Sequence, residues 1–152
     1  MSDADLAPLV VDASVAVKWV LDEERSAIAR HLYLTSRSND RPLVAPALIE
    51  NEVTNAIYRH LRRGLLTEAA ADEAAEQFST LDVRLVVPPA LALEAYRLAK
   101  HHRLGAIYDA LYVVLARDLG ADLWTDDRAL LTRLAAAAPW VRWIGDYPPA
   151  GA

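Results

Sequence analysis

Five short apolar runs punctuate this chain, separated by longer stretches in which apolar residues return every three or four positions. The runs are Pro8–Val11, Pro42–Ala45, Val83–Val87, Asp122–Thr125 and Val141–Ile144. Strands apolar on both faces and separated by helices form a parallel sheet covered on each side. The intervening periodicity predicts helices over Ser14–Leu21, Glu24–Arg37, Ala47–Arg63, Glu68–Leu81, Ala90–His102, Ile107–Leu119 and Arg128–Ala136. Local punctuation agrees: Gly64 and Gly120 suit the left-handed residue after a helix, Thr67 can cap the next one, and Pro88-Pro89 suits a helix entrance. The expected fold class is α/β, a three-layer sandwich with a central, mostly parallel five-stranded sheet flanked by helices. No repeat, low-complexity segment or linker divides the chain, so one domain over residues 1–152, with a core near residues 8–146, is expected.

That architecture makes the joint in "LVVDASVAVKWV" worth explaining, because Asp12 sits between two apolar segments. Ligands of open parallel sheets bind beyond the carboxyl ends of the strands, where strand order reverses. Asp12 follows the first strand and the pair Asp126-Asp127 follows the fourth, in "LWTDD", so both emerge at the same edge. A strand-end aspartate ahead of a serine also reads as a helix cap.

Two further acids keep apolar company. Asp109 lies in the first turn of a helix that is apolar nearly all round between Ile107 and Ala116; the helix dipole alone favours a negative charge there by roughly 0.3–1 kcal/mol. In "PALIENEVTNAIYRHLRRG" the apolar stripe is Leu48, Ile49, Val53, Ala56, Ile57 and Leu61. Glu50 and Glu52 flank it on opposite sides, and periodicity does not choose between them. Several carboxylates gathered at one place raise one another's pKa unless a cation compensates them. All-oxygen ligands select hard ions, Mg²⁺ or Mn²⁺, over zinc.

The net charge of −5 argues at face value against a nucleic-acid partner, but clustered metal-binding acids lower the total without repelling substrate once cations are bound. The chain has no cysteine, which excludes disulfides and thiolate metal sites. Its acidic opening, "MSDADLAP", lacks the basic-then-apolar plan of a signal peptide. No run approaches the roughly 18 to 20 apolar residues that cross a bilayer, so a soluble, cytoplasmic protein without membrane attachment is expected.

The pieces "VVDASVAVKW", "EVTNAI", "YDALYVVLA" and "LWTDDRAL", in that order and spanning nearly the whole chain, resemble the PIN-domain ribonucleases, in particular the VapC toxins of bacterial toxin–antitoxin pairs. The resemblance carries the family's four acids onto Asp12, Glu52, Asp109 and Asp127. Glu52 is preferred to Glu50 because it opens the E-V-x-N pattern completed by Asn55, and Asp126 stands beside Asp127 as an alternative fourth acid. Ser14 and Thr125 match the small hydroxyl residues beside the acids. The family implies a homodimer, Mg²⁺- or Mn²⁺-dependent endonuclease action on RNA, and a small VapB-type antitoxin that blocks the acidic groove. Asp12 and Asp109 would then be the principal metal ligands, with Glu52 and Asp127 completing the shell or positioning water.

Basic residues are sparse. Arg59 and Arg63, one turn apart, are candidate phosphate contacts, although cations at a helix C-terminus also answer the helix dipole. His31, His60, His101 and His102 show no metal-binding spacing, and the four tryptophans fall in or beside core elements. Aspartyl-nucleophile phosphatases also place an aspartate after the first strand, but they require a second one where this chain has Ser14. The other rival is a catalytically inactive PIN-like domain that binds RNA or a partner, and intact acids argue against it.

Overall fold

The computed structural model describes residues 7–151, so the acidic opening over residues 1–6 lies outside the described residues. Strands β1 (Leu9–Val11), β2 (Leu43–Pro46), β3 (Arg84–Val86), β4 (Asp122–Thr125) and β5 (Val141–Trp143) form one sheet in the order β3-β2-β1-β4-β5. Every pairing in it is parallel, with Val10 opposite both Val44 and Leu123 and Val11 opposite Trp124. The order reverses between β1 and β4, which puts the switch point where Asp12 and Asp127 leave the sheet.

Helices α1 (Ala13–Ala16), α2 (Ser26–Ser38), α3 (Leu48–Arg62), α4 (Glu68–Ser79), α5 (Leu91–His102), α6 (Ile107–Leu119) and α7 (Arg128–Leu134) connect the strands and cover the sheet as the outer layers. Val10, Val11, Ile49, Val53, Val113, Leu115 and Leu123 are completely buried between them. Helix α6 packs against β1, β2 and β4 and buries Ala110 and Tyr112 through Ala116, as its all-round apolar pattern requires. Gly64 and Gly120 take positive φ, and the Thr67 hydroxyl accepts the Ala70 N–H at 3.2 Å.

The structure departs from the expected helices in detail. The first is split: α1 gives way to a 3₁₀ turn over Val17–Trp19, which directs Lys18 inward. The start of α2 is delayed to Ser26, because the Ser26 hydroxyl accepts the Glu23 N–H at 2.9 Å and Arg25 adopts a φ of 66°. Helix α7 ends at Leu134, and a 3₁₀ turn, Ala135–Ala137, follows. Among the described residues no helix is long and apolar enough to cross a membrane.

Candidate active site

The ends of β1 and β4 present their acids through paired helix caps. Asp12 is the N-cap of α1: its Oδ1 accepts the Ser14 N–H at 3.0 Å and the Ser14 hydroxyl at 2.5 Å. Asp127 is the N-cap of α7, accepting the Leu130 N–H at 3.0 Å through Oδ1. The capping role therefore coexists with a place at the site, and each cap engages Oδ1. Ser14 joins the two strand ends, since its hydroxyl accepts the Asp126 N–H at 2.8 Å and lies 3.4 Å from the Thr125 hydroxyl. Thr125 is fully buried and accepts the Asp127 N–H at 3.0 Å.

Glu52 reaches the same edge from α3, half-buried, whereas Glu50 is exposed. The Tyr112 hydroxyl, rising from buried α6, donates to Glu52 Oε1 at 2.6 Å. Burial, then this bond and the neighbouring acids, raise the tyrosine pKa, so the phenol remains a donor at any physiological pH. Sequence alone does not mark Tyr112 for this role, because a tyrosine within an apolar stripe reads as core. Replacing it with phenylalanine should cost about 1–3 kcal/mol by releasing the glutamate; a urea melt superposable on that of the unaltered protein would show that the bond carries no weight.

Asp126 turns elsewhere. Its carboxylate meets Lys18 Nζ at 3.1 Å, Arg25 Nε at 2.7 Å and Trp143 Nε1 at 3.2 Å. Burial pushes its pKa up, but the Arg25 and Lys18 contacts more than offset this, and the carboxyl is held below its ordinary value. Lys18, itself buried, also pairs with Glu23 at 3.0 Å. Nothing in the sequence pattern marked Lys18, Arg25 or Trp143 as neighbours of the site.

The electrostatics of Asp12 and Asp109 are opposite in sign. Burial pushes the Asp12 carboxyl up to about 7 against opposing hydrogen bonds from Ser14 and Thr125, and the charge of Asp109 adds to the rise. Burial also raises Asp109, helped by Asp127 and Glu52. None of the four pairs with a basic side chain among the described residues. As the side chains stand, no three carboxylate or imidazole groups among the described residues are close enough to hold an ion. The donor set still fits a hard divalent cation: oxygen atoms only, mutually repelling, partly dehydrated, and lacking a protein countercharge.

The PIN domain family profile matches residues 9–137. Ribonuclease VapC3 of Pyrobaculum aerophilum is 36% identical over 132 residues, covering 84% of this chain and 95% of the relative. Ribonuclease VapC3 of Mycobacterium tuberculosis is 34% identical over 139 residues, covering 90% and 92%. The chain belongs to the PIN-domain family, in its VapC-type ribonuclease branch. Solved structures agree on the fold. PAE2754 of Pyrobaculum aerophilum superposes with a TM-score of 0.68 at 24% identity, over 93% of each chain. Mycobacterium tuberculosis VapC20, described as a sarcin–ricin-loop-cleaving toxin, superposes at 0.64 and 21% identity, over 88% of this chain and 98% of that one.

In this PIN domain the remaining expected residues lie along α3. Asn55 is exposed and, with Ser14, Glu23, Glu52, Arg59 and His60, lines a recess of about 290 Å³ beside the acids. Arg59 thus borders the site directly, whereas Arg63 lies farther along the same helix, in a second recess. His60 faces Glu23 at 3.5 Å and no other carboxylate among the described residues.

Proposed function

We propose that this protein is a Mg²⁺- or Mn²⁺-dependent endoribonuclease that acts as the toxin of a toxin–antitoxin pair, folded as a single domain. The observation that carries the proposal is the set of acids at the switch point, paired with no basic side chain among the described residues, within which burial and neighbouring charge raise Asp12 and Asp109. A non-catalytic binding module would gain nothing from that repulsion. Kinship with relatives named ribonuclease VapC supplies the substrate class and the expectation of a small antitoxin partner.

Asp12 and Asp109 are the proposed principal ligands, with Glu52 and Asp127 completing the shell or orienting water. A bound divalent ion supplies Lewis-acid polarisation of the phosphodiester and lowers the pKa of water. The protein's own groups do the positioning. Ser14 and the α1 amides fix Asp12 Oδ1, Tyr112 fixes Glu52, and the first turn of α7 fixes Asp127. Thr125 couples the two strand ends, so the acids approach one scissile phosphate as a preorganised set. Asp127 is preferred to Asp126 as the fourth acid, because the Asp126 charge is already neutralised by Lys18 and Arg25.

Metal titration tests the proposal directly. Mn²⁺ at a hundred times its dissociation constant should stabilise the protein by about 2.7 kcal/mol, and EDTA should abolish both the gain and RNA cleavage. A melting temperature indifferent to Mn²⁺, with cleavage undiminished in EDTA, would defeat it.

A further inference from the structure

Helix α3 carries its polar residues in a row that starts at the acids and ends at a basic, aromatic patch. Glu52, Asn55, Arg59 and Arg63 follow one another at intervals of three and four, and therefore share a face. Asn55 and Arg59 line the recess beside Glu52 and also a second recess of about 330 Å³, completed by Tyr58, Arg62 and Arg63. The two recesses are thus contiguous along a rise of roughly 16 Å. None of the three arginines pairs with a carboxylate among the described residues. Tyr58 is 54% exposed, and among the described residues neither a ring nor a cation packs on its face.

Compensation of the helix dipole accounts for basic residues at a C-terminus, but not for an exposed aromatic ring among them, nor for a recess that opens toward the acids. In a chain of net charge −5, three unneutralised guanidinium groups in one place are an exception with a direction. Cations that track a backbone, combined with an aromatic surface for bases, are the means by which proteins hold single-stranded nucleic acid. A duplex keeps its bases stacked inside and offers Tyr58 nothing.

We infer that the Asn55–Arg63 face of α3 is a substrate subsite for unpaired RNA flanking the scissile phosphate: one base stacks on Tyr58, and Arg59, Arg62 and Arg63 hold the adjoining phosphates. The inference rests on the ribonuclease function proposed above and adds to it the place on α3 where the substrate is held.

The test is equilibrium binding by fluorescence anisotropy in EDTA, with labelled oligouridylate and with the duplex it forms with oligoadenylate as probes. Cleavage of RNA by the unaltered protein in Mn²⁺ is assayed separately. Tyr58→Ala should weaken oligouridylate binding about 5- to 100-fold, with duplex binding unchanged and Tyr58→Phe close to the unaltered protein. Joint Arg62→Ala and Arg63→Ala substitution should weaken it and flatten the dependence of log K on log salt by about 1.4. All these positions are exposed, so melting temperatures should hold and a binding loss cannot be ascribed to unfolding. Unaltered affinity and salt slope in every variant, with RNA still cut by the unaltered protein, would overturn the subsite and leave the nuclease intact. Equal losses for oligouridylate and duplex would overturn the stacking role of Tyr58. An unaltered protein that cuts no RNA would remove the proposed function, and the subsite with it.

Discussion

Asp12→Asn should destroy RNA cleavage and, in the same protein, raise stability when no metal is present. Asp12 is 5% exposed and the folded pKa of its carboxyl is raised from 3.8 to about 7. A raised carboxyl pKa means that the folded chain binds a proton that the unfolded chain has released. Stability of the metal-free protein therefore falls as pH rises from about 4 to about 7, and the full penalty persists above that range. Three pKa units correspond to a penalty of order 4 kcal/mol. Asparagine avoids the penalty and keeps an Oδ1 that accepts from the Ser14 and Val15 amides and the Ser14 hydroxyl. In EDTA at pH 8 the variant should be more stable by a few kcal/mol, and at pH 5 the difference should shrink.

With saturating Mn²⁺ the order should move back toward the unaltered protein, because the ion binds the folded state through the acid that the variant lacks. Cleavage should drop by at least about a hundredfold. Urea melts at the two pH values, with and without Mn²⁺, together with a cleavage assay, measure all of this. A variant less stable than the original in EDTA at pH 8 would show that Asp12 is comfortably ionised, and the case for a compensating cation would lose its main support.

The parts of this site that were legible in the sequence are those fixed by chain-local rules. Asp12 and Asp127 could be placed because strand ends in a parallel sheet share an edge, and the switch point between β1 and β4 lies where the run order implied. The α6 pattern placed the helix of Asp109 inside, and the resemblance placed its carboxylate among the acids. Glu52 was different: the α3 stripe left it level with Glu50, and only the E-V-x-N resemblance separated them. In the structure the Tyr112 hydroxyl accompanies Glu52, a partner 60 positions away that no periodicity encodes. The ionic cluster was wholly illegible for the same reason. Lys18 looks like one polar residue in an apolar helix until the 3₁₀ turn directs it inward, and Arg25 meets Asp126 across 101 positions. The helix breaks at Ala16 and Leu134 likewise have no adjacent glycine or proline to mark them.

Asp126 and Asp127, adjacent in sequence, should give opposite phenotypes. The Asp126 side chain is 8% exposed and touches Lys18, Arg25 and Trp143. Replacing it with alanine leaves buried Lys18 with Glu23 as its one remaining carboxylate partner among the described residues and breaks the tie between the β4–α7 junction and the turn after α1. Removing one member of a buried ion pair costs about 3–5 kcal/mol, so Asp126→Ala should melt far below the unaltered protein. Its backbone N–H still reaches Ser14, however, so cleavage assayed well under the melting temperature should stay within about tenfold. Asp127→Asn should behave in the reverse way. Asparagine caps a helix as well as aspartate does, so stability should change by less than about 0.5 kcal/mol, while loss of the charge removes an oxygen donor from the proposed metal-binding set and cleavage should fall at least about a hundredfold. Thermal melts and initial cleavage rates of the two variants decide the matter. If Asp126→Ala were stable and inactive while Asp127→Asn still cut RNA, the fourth acid would be Asp126, and the Lys18–Arg25 clamp would belong to the catalytic centre rather than to the scaffold that holds it.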